Sequence, residues 1–279
     1  MAKGPRTTFA GVAQQVAQQW LPPVATRALK DVFGANHFYG DFANWADAKL
    51  KCEGYSSEVI LQRVAAGALE VKAGRAAYER DSQVFYEKAY EWPALSCLLW
   101  AANREGGALS VLDFGGSLGS RYYQHRKWFE GMKHVRWSIV EQENFARVGR
   151  EQFQDDTLRF YTDAAECVAA EKPTVLTISA VLQYLEEPYA VLSRLLDLAF
   201  NVILLDRTSL IEGSHDRLTL QRVSSRIYPA TYPAWFFSRA KLLEMFEGRY
   251  RLVEDFACPD RANLARSNYR GFLFERIER

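Results

Sequence analysis

Five short apolar runs, at 110–114, 135–140, 158–161, 174–178 and 201–205, alternate with stretches of helical periodicity such as 144–153 and 188–200. No other feature constrains this chain as strongly. A run too short for a helix, then a helix-length stretch, then another run, buries its apolar residues as strand, crossover helix and parallel strand. A helix at 238–246 and two closely spaced runs, 250–256 and 269–276, complete the pattern. The segment between the fifth run and that helix, 207–237, is rich in Arg, Tyr and Pro and reads as irregular. The pattern predicts a doubly wound, mostly parallel seven-stranded α/β sheet over residues 106–279.

The first 105 residues have a different texture. In 1–37 the apolar positions Val12, Val16 and Trp20 recur at helical spacing, and Pro22-Pro23 ends that helix. A second helix follows, with Leu29, Val32 and Phe33 on one face and Arg27 and Lys30 beside it, ending at Gly34. This short basic amphipathic element is suited either to a membrane surface or to packing on the rest of the chain. Residues 38–105 read as a helical cap without strand alternation. Ser56 or Ser57 caps a helix ending at Gly74, and Pro93 opens another that stops at Gly106-Gly107. The cap's aromatic residues, Trp45, Tyr55, Tyr78, Phe85, Tyr86 and Trp92, are expected in its core. Arg80 and Asp81 either close over a ligand or face solvent.

Composition excludes several classes. A formal net charge of +1 argues against a dedicated nucleic-acid binder. The four cysteines (Cys52, Cys97, Cys167, Cys258) are far apart with no C-x-x-C pair, so neither a disulfide framework nor a metal site is expected. No apolar stretch is long enough to span a membrane, and glutamines interrupt any signal-like start. The expectation is a cytoplasmic protein, with peripheral contact at the inner face of the membrane through 1–37 if that segment binds lipid.

The chemistry concentrates where the first strand ends, in Val111-Leu-Asp-Phe-Gly-Gly-Ser-Leu-Gly119. A strand ending in an acid, then a glycine turn, brings backbone amides beside a ligand at a helix start. The glycines Gly115, Gly116 and Gly119 stand two, three and six positions after Asp113, not in the G-x-G-x-x-G spacing of a dinucleotide site. The acid suits a ligand carrying an ammonium group, such as the methionine part of S-adenosyl-L-methionine. Glu141 ends the second strand, where an acid reaches ribose hydroxyls. Asp163 ends the third, as an adenine-side residue or a helix N-cap. Ser179 and Gln183 follow the fourth and are placed to line the reaction site. On the acceptor side, Asp206 and the His215-Asp216 pair are the candidates for a catalytic base, which a hydroxyl acceptor needs.

Together these strings resemble a family of methyltransferases encoded among bacterial surface-polysaccharide genes. The resemblance extends to Ser179-Ala-Val-Leu-Gln-Tyr-Leu-Glu-Glu-Pro-Tyr189, Leu205-Asp-Arg-Thr208, Ile227-Tyr-Pro-Ala-Thr-Tyr-Pro-Ala-Trp-Phe-Phe-Ser238, Tyr78-Glu-Arg-Asp-Ser82 and Gly271-Phe-Leu-Phe-Glu-Arg276, and covers roughly 38–277. It implies the class I methyltransferase fold, S-adenosyl-L-methionine as cofactor, and a glycan or glycolipid precursor as acceptor. The chain departs from many class I enzymes at Ser117, where they carry glycine. Three other readings stand beside this one. They are an N- or C-methyltransferase of a small metabolite, a non-catalytic S-adenosylmethionine-binding scaffold, and a nicotinamide oxidoreductase, which the glycine spacing disfavours.

Overall fold

A computed structural model describes residues 37–52, 57–80, 82–223 and 230–277. The two helices expected in 1–37, the Ser56 cap, Tyr55, Asp81 and Tyr228 lie outside these residues, except that His37 opens the first strand. In chain order the elements begin with β1 (His37–Phe42), α1 (Trp45–Lys49), α2 (Ser57–Lys72), β2 (Tyr78–Arg80), β3 (Gln83–Phe85) and α3 (Trp92–Arg104). Next come β4 (Ala108–Phe114), α4 (Ser120–His125), β5 (His134–Val140), α5 (Glu143–Gln152), β6 (Leu158–Tyr161), α6 (Ala164–Glu171), β7 (Val175–Ser179) and α7 (Pro188–Asp197). The last are β8 (Val202–Ile211), β9 (Arg217–Arg222), β10 (Thr231–Ser238), α8 (Arg239–Glu244), β11 (Tyr250–Ala257) and β12 (Ser267–Arg276).

The central run of strands is β6-β5-β4-β7-β8, all parallel. Beyond β8 lies β12, antiparallel to it, and β11 pairs antiparallel with β12. This is the class I methyltransferase strand order that the resemblance implies. Alternation along each strand divides the core between two faces. Val111 of β4 and Leu204 of β8 pack in one cluster with Leu61 of α2, Leu95 of α3 and Ala146 of α5. Their neighbours Leu112 and Leu205 join the other cluster, with Cys167 of α6, Leu192 of α7 and Leu242 of α8. Helices cover both faces, which makes the sheet doubly wound.

The sequence reading needs two corrections. Segment 207–237 is not irregular, since β8 runs on to Ile211 and β9 and β10 follow it. Phe237 and Ser238 of β10 pair parallel with Leu210 and Ile211, while β9 pairs antiparallel with β10. Pro233 argued against a strand because proline cannot donate to a ladder. It lies, however, where β10 has no β8 residue opposite it. The second correction concerns residues 38–105, which contain three strands. β2 and β3 form a hairpin, and β1 pairs with β9, about 180 residues away, at the far edge of the sheet. Gly40, at φ +82°, breaks the alternation of β1, so no local pattern marks it as a strand.

At the carboxyl end of the parallel strands, β8 therefore leaves β7 and enters a second group, β10-β9-β1. The change falls at Asp206 and Arg207. Asp206 is the last β8 residue opposite β7, and Arg207 has φ +52°. The β8–β12 register shifts between Arg270 and Phe272 at the same level. A bulge of this kind bends a strand pair and re-aims its side chains.

Candidate functional site

The carboxyl ends of β4, β5 and β7 converge on the glycine turn. Asp113 is 2% exposed. Its Oδ1 accepts from Thr177 Oγ1 at 2.7 Å, and its Oδ2 accepts from Trp137 Nε1 at 3.0 Å. Trp137 belongs to β5 and Thr177 to β7, so one carboxylate ties three strands together under the turn. Burial pushes its carboxyl above the ordinary carboxylate range, against the pull of the Arg121 charge and these two hydrogen bonds. The acid expected to face a ligand ammonium is buried beneath the turn and engaged by Thr177 and Trp137.

The turn packs directly on that carboxylate. A Cβ at Gly116 would lie 2.6 Å from the Asp113 carboxyl carbon. At Gly115, where φ is +72°, a Cβ would lie 2.5 Å from the Val181 side chain. These two contacts require glycine at both positions. Gly119 ends the turn immediately before α4. Ser117 adopts the left-handed conformation at φ +56°, so the serine found where many class I enzymes have glycine still makes the bend.

Glu141 leans over this turn. Its Oε1 accepts from the Ser117 N–H at 3.2 Å and its Oε2 from the Gln142 N–H at 2.8 Å. A carboxylate offers about four lone-pair sites, so each oxygen keeps acceptor capacity for a hydroxyl. Burial pushes its carboxyl up, partly offset by the two backbone hydrogen bonds. Asp163 takes the other role open to it. Its Oδ1 accepts from Glu166 N–H at 2.8 Å, which makes it the N-cap of α6.

Toward β7 and β8 the site is ionic, and its central residue, Arg121 of α4, was absent from the sequence reading. Its Nη2 bonds Asp206, lies 2.5 Å from Ser179 Oγ, and lies 3.2 Å from Glu91 Oε2. Glu91 in turn takes Arg80 Nη2 at 2.6 Å. The result is a ladder Arg80–Glu91–Arg121–Asp206 that joins the β2–β3 hairpin to the middle of β8. Arg121 is 8% exposed, and its Nη1 has no hydrogen-bond partner among the described residues. Nothing in the string Ser120-Arg-Tyr-Tyr-Gln-His125 marks the arginine, because its partners come from three distant segments.

The ladder decides what Asp206 does. Burial pushes its carboxyl up, but the charge and hydrogen bond of Arg121 outweigh burial and hold it below the ordinary range. Its Oδ2 also accepts from Ser179 Oγ at 3.2 Å, and its Oδ1 accepts from Cys258 Sγ at 3.4 Å. A carboxylate stabilised in this way is a poor proton acceptor, so Asp206 as a base is corrected to Asp206 as the anchor of Arg121. Burial pushes the Cys258 thiol up to about 12, so it stays protonated. His125, fully buried, accepts from Glu91 N–H at 3.2 Å through Nε2 and lies 3.0 Å from Arg121 carbonyl oxygen through Nδ1. Burial and the Arg121 charge push its pKa down to about 4.

The remaining candidates separate. Gln183 is 2% exposed and donates from Nε2 to Arg207 carbonyl oxygen at 3.1 Å, while its Oε1 has no partner among the described residues. His215 and Asp216 occupy the β8–β9 turn. They line a cleft of about 620 Å³ with Glu186, Tyr189, Trp235 and Lys241, and no residue of the glycine turn reaches it. Asp216 accepts from Tyr189 Oη at 3.0 Å, Ser238 N–H at 2.8 Å and Lys241 Nζ at 2.6 Å. The exposed His215 contacts Ser214 Oγ at 2.8 Å. The two form no base–orienter pair, because every partner given for Asp216 lies elsewhere. Of the cap aromatics, Tyr78 stacks on Phe85 and Trp45 on Trp235. Tyr86 and Trp92 are 75% and 52% exposed, so the core expectation is corrected for them.

No family model and no curated protein matches this sequence. Among solved structures, the chain is similar to the 1,6-didemethyltoxoflavin-N1-methyltransferase of Burkholderia thailandensis, with 15% identity and TM-score 0.44, covering 81% of this chain and 92% of that one. It is similar to the magnesium protoporphyrin IX methyltransferase of Synechocystis, with 13% identity and TM-score 0.44, covering 97% and 100%. It is also similar to the N-terminal domain of EvdMO1 crystallised with SAH and D-fucose, with 13% identity and TM-score 0.46, covering 81% and 100%.

Proposed function

We propose that this chain is an S-adenosyl-L-methionine-dependent methyltransferase. The observation that carries the reading is the convergence at the carboxyl ends of β4 and β5. A glycine turn packed too closely for a Cβ at Gly115 or Gly116 lies there beneath Glu141, a carboxylate with acceptor capacity to spare. The site fits the cofactor on two further counts. Among the described residues the buried cation Arg121 keeps a donor nitrogen without a partner, and Gln183 keeps an acceptor oxygen.

When bound, the cofactor supplies a methyl group on a sulfonium, an electrophile that needs no further activation. Glu141 accepts the ribose hydroxyls, the turn at 115–119 lays backbone against the ligand, and Ser179 and Gln183 border the reacting end. Catalysis then rests on holding the two reactants in line. For the acceptor, we propose a sugar or glycolipid-precursor hydroxyl, supported by the motif resemblance. The ion-paired state of Asp206 favours a second reading, an N- or C-methyltransferase of a small metabolite, because such an acceptor needs no strong base.

Calorimetric titration tests the cofactor. S-adenosylhomocysteine is expected to bind saturably and raise the melting temperature, since a ligand of the folded state stabilises it. NAD and NADP are expected to do neither. Nicotinamide binding without S-adenosylhomocysteine binding would overturn the proposal. Incubation with methyl-labelled cofactor and cell glycan precursors then identifies the acceptor, and absence of any labelled product would favour a binding scaffold.

A further inference from the structure

We infer that Arg121 receives a ligand carboxylate through Nη1, and that this carboxylate is the one on the amino-acid end of an S-adenosyl compound. The inference rests on the cofactor reading above and extends it to a residue that neither the motifs nor the glycine turn assigns.

Asp206, Ser179 and Glu91 all crowd onto Nη2 of the buried guanidinium, which leaves Nη1 without a partner among the described residues. An unsatisfied buried donor on a cation is costly, and such groups in folded proteins have a partner, an ordered water or a ligand. The guanidinium is built to bind a carboxylate oxygen with that nitrogen.

Glu141 follows β5, and Ser179, which Arg121 touches, ends β7, with β4 between them. Neighbouring strands lie about 4.8 Å apart, so the two ends of the site are separated by about 10 Å. That distance is comparable to the reach from the ribose of an S-adenosyl compound to its extended amino-acid end. A ligand whose ribose meets Glu141 therefore brings its far end to Arg121.

Arg80, Glu91, Arg121 and Asp206 are two cations and two anions, and the Asp113 carboxyl also acts on Arg121, so the ladder holds no spare positive charge. A purely anionic ligand would add an uncompensated charge in a poorly solvated place. An α-amino carboxylate carries its own ammonium and adds none. The ladder therefore favours an amino-acid end over a simple acid, which sets the cofactor apart from an acidic methyl acceptor.

The experiment compares three ligands by calorimetry: S-adenosylhomocysteine, its decarboxylated analogue, and 5′-methylthioadenosine, which lacks the amino-acid end. Wild type is expected to bind the first about 10- to 100-fold more tightly than the second. Arg121→Lys is expected to lose most of that preference while binding 5′-methylthioadenosine within about twofold of wild type. A merely structural arginine would weaken all three ligands together, and that result overturns the inference. Should Arg121→Lys fail to fold, the wild-type comparison decides alone, and equal affinity for S-adenosylhomocysteine and its decarboxylated analogue overturns it. Wild type that binds none of the three would instead remove the cofactor reading, and the inference with it.

Discussion

At the residue scale, burial opposes the charged forms of Glu141 and His125, with different consequences. At Glu141 burial raises the pKa further than its two backbone hydrogen bonds lower it, so the unliganded fold disfavours its negative charge. Glu141→Ala is therefore expected to keep or slightly raise the melting temperature while weakening S-adenosylhomocysteine binding. Losing two charge-assisted hydrogen bonds to a ribose corresponds to about 1.5–3 kcal/mol, roughly 10- to 150-fold in Kd. An unchanged Kd would remove Glu141 from the site. His125 makes its acid response through the unfolded state. Its folded pKa is about 4 and that of the free side chain about 6.5, so between these values the unfolded chain binds more protons. Stability contributed by the neutral ring is present at pH 7 and is lost as pH falls from about 6.5 to about 4, by about 3 kcal/mol in all. Urea unfolding at pH 7 and pH 5 is expected to show about 2 kcal/mol of this loss in wild type and less in His125→Gln. The glutamine amide can donate to Arg121 carbonyl oxygen and accept from Glu91 N–H without titrating. Equal acid loss in both proteins would place the proton uptake elsewhere.

At the element scale, the long strand β8 organises the ionic side of the site. Its first half belongs to the parallel sheet and its second half to the β10-β9-β1 group, and the bend sets Asp206 against Arg121. On its partner β12, Gly271 permits that bend. A Cβ there would lie 2.1 Å from the Phe256 ring, which stands opposite it on β11. Gly271→Ala is expected to lower the unfolding free energy by about 1–3 kcal/mol, the usual cost of overpacking. Phe256→Ala in the same chain should recover part of that loss, and a double-mutant cycle measures the coupling. Strictly additive effects would mean that the ring moves aside freely. The main strands, their order of appearance and most helix ends were legible in the sequence, because alternation and breakers such as Pro93 and Gly74 act locally. β1, β9 and β10 were not. Their strand character comes from partners far along the chain, and Gly40 and Pro233 are tolerated only in that pairing.

At the scale of the whole molecule, no helix among the described residues is long and apolar enough to cross a membrane. Peripheral contact through residues 1–37 remains a proposal, supported by the helical spacing of Leu29, Val32 and Phe33 in the sequence and the nearby basic residues Arg27 and Lys30. If it holds, the protein should co-sediment with anionic liposomes at low salt and be released as salt screens the attraction. Protein that stays in the supernatant at every salt concentration would assign those residues to other packing. The sequence by itself determined the doubly wound sheet and the position of the glycine turn, because strand period, turn glycines and the strand-end acids Asp113 and Glu141 are local signals. Only the tertiary structure decided what the charged groups do. Asp113 became a tie between three strands, Asp163 a helix cap, and Asp206 the partner of an arginine that no motif marks. The physical reason is that a carboxylate's role follows from the donors folded around it, and those of Asp113 and Asp206 come from segments far from them in sequence.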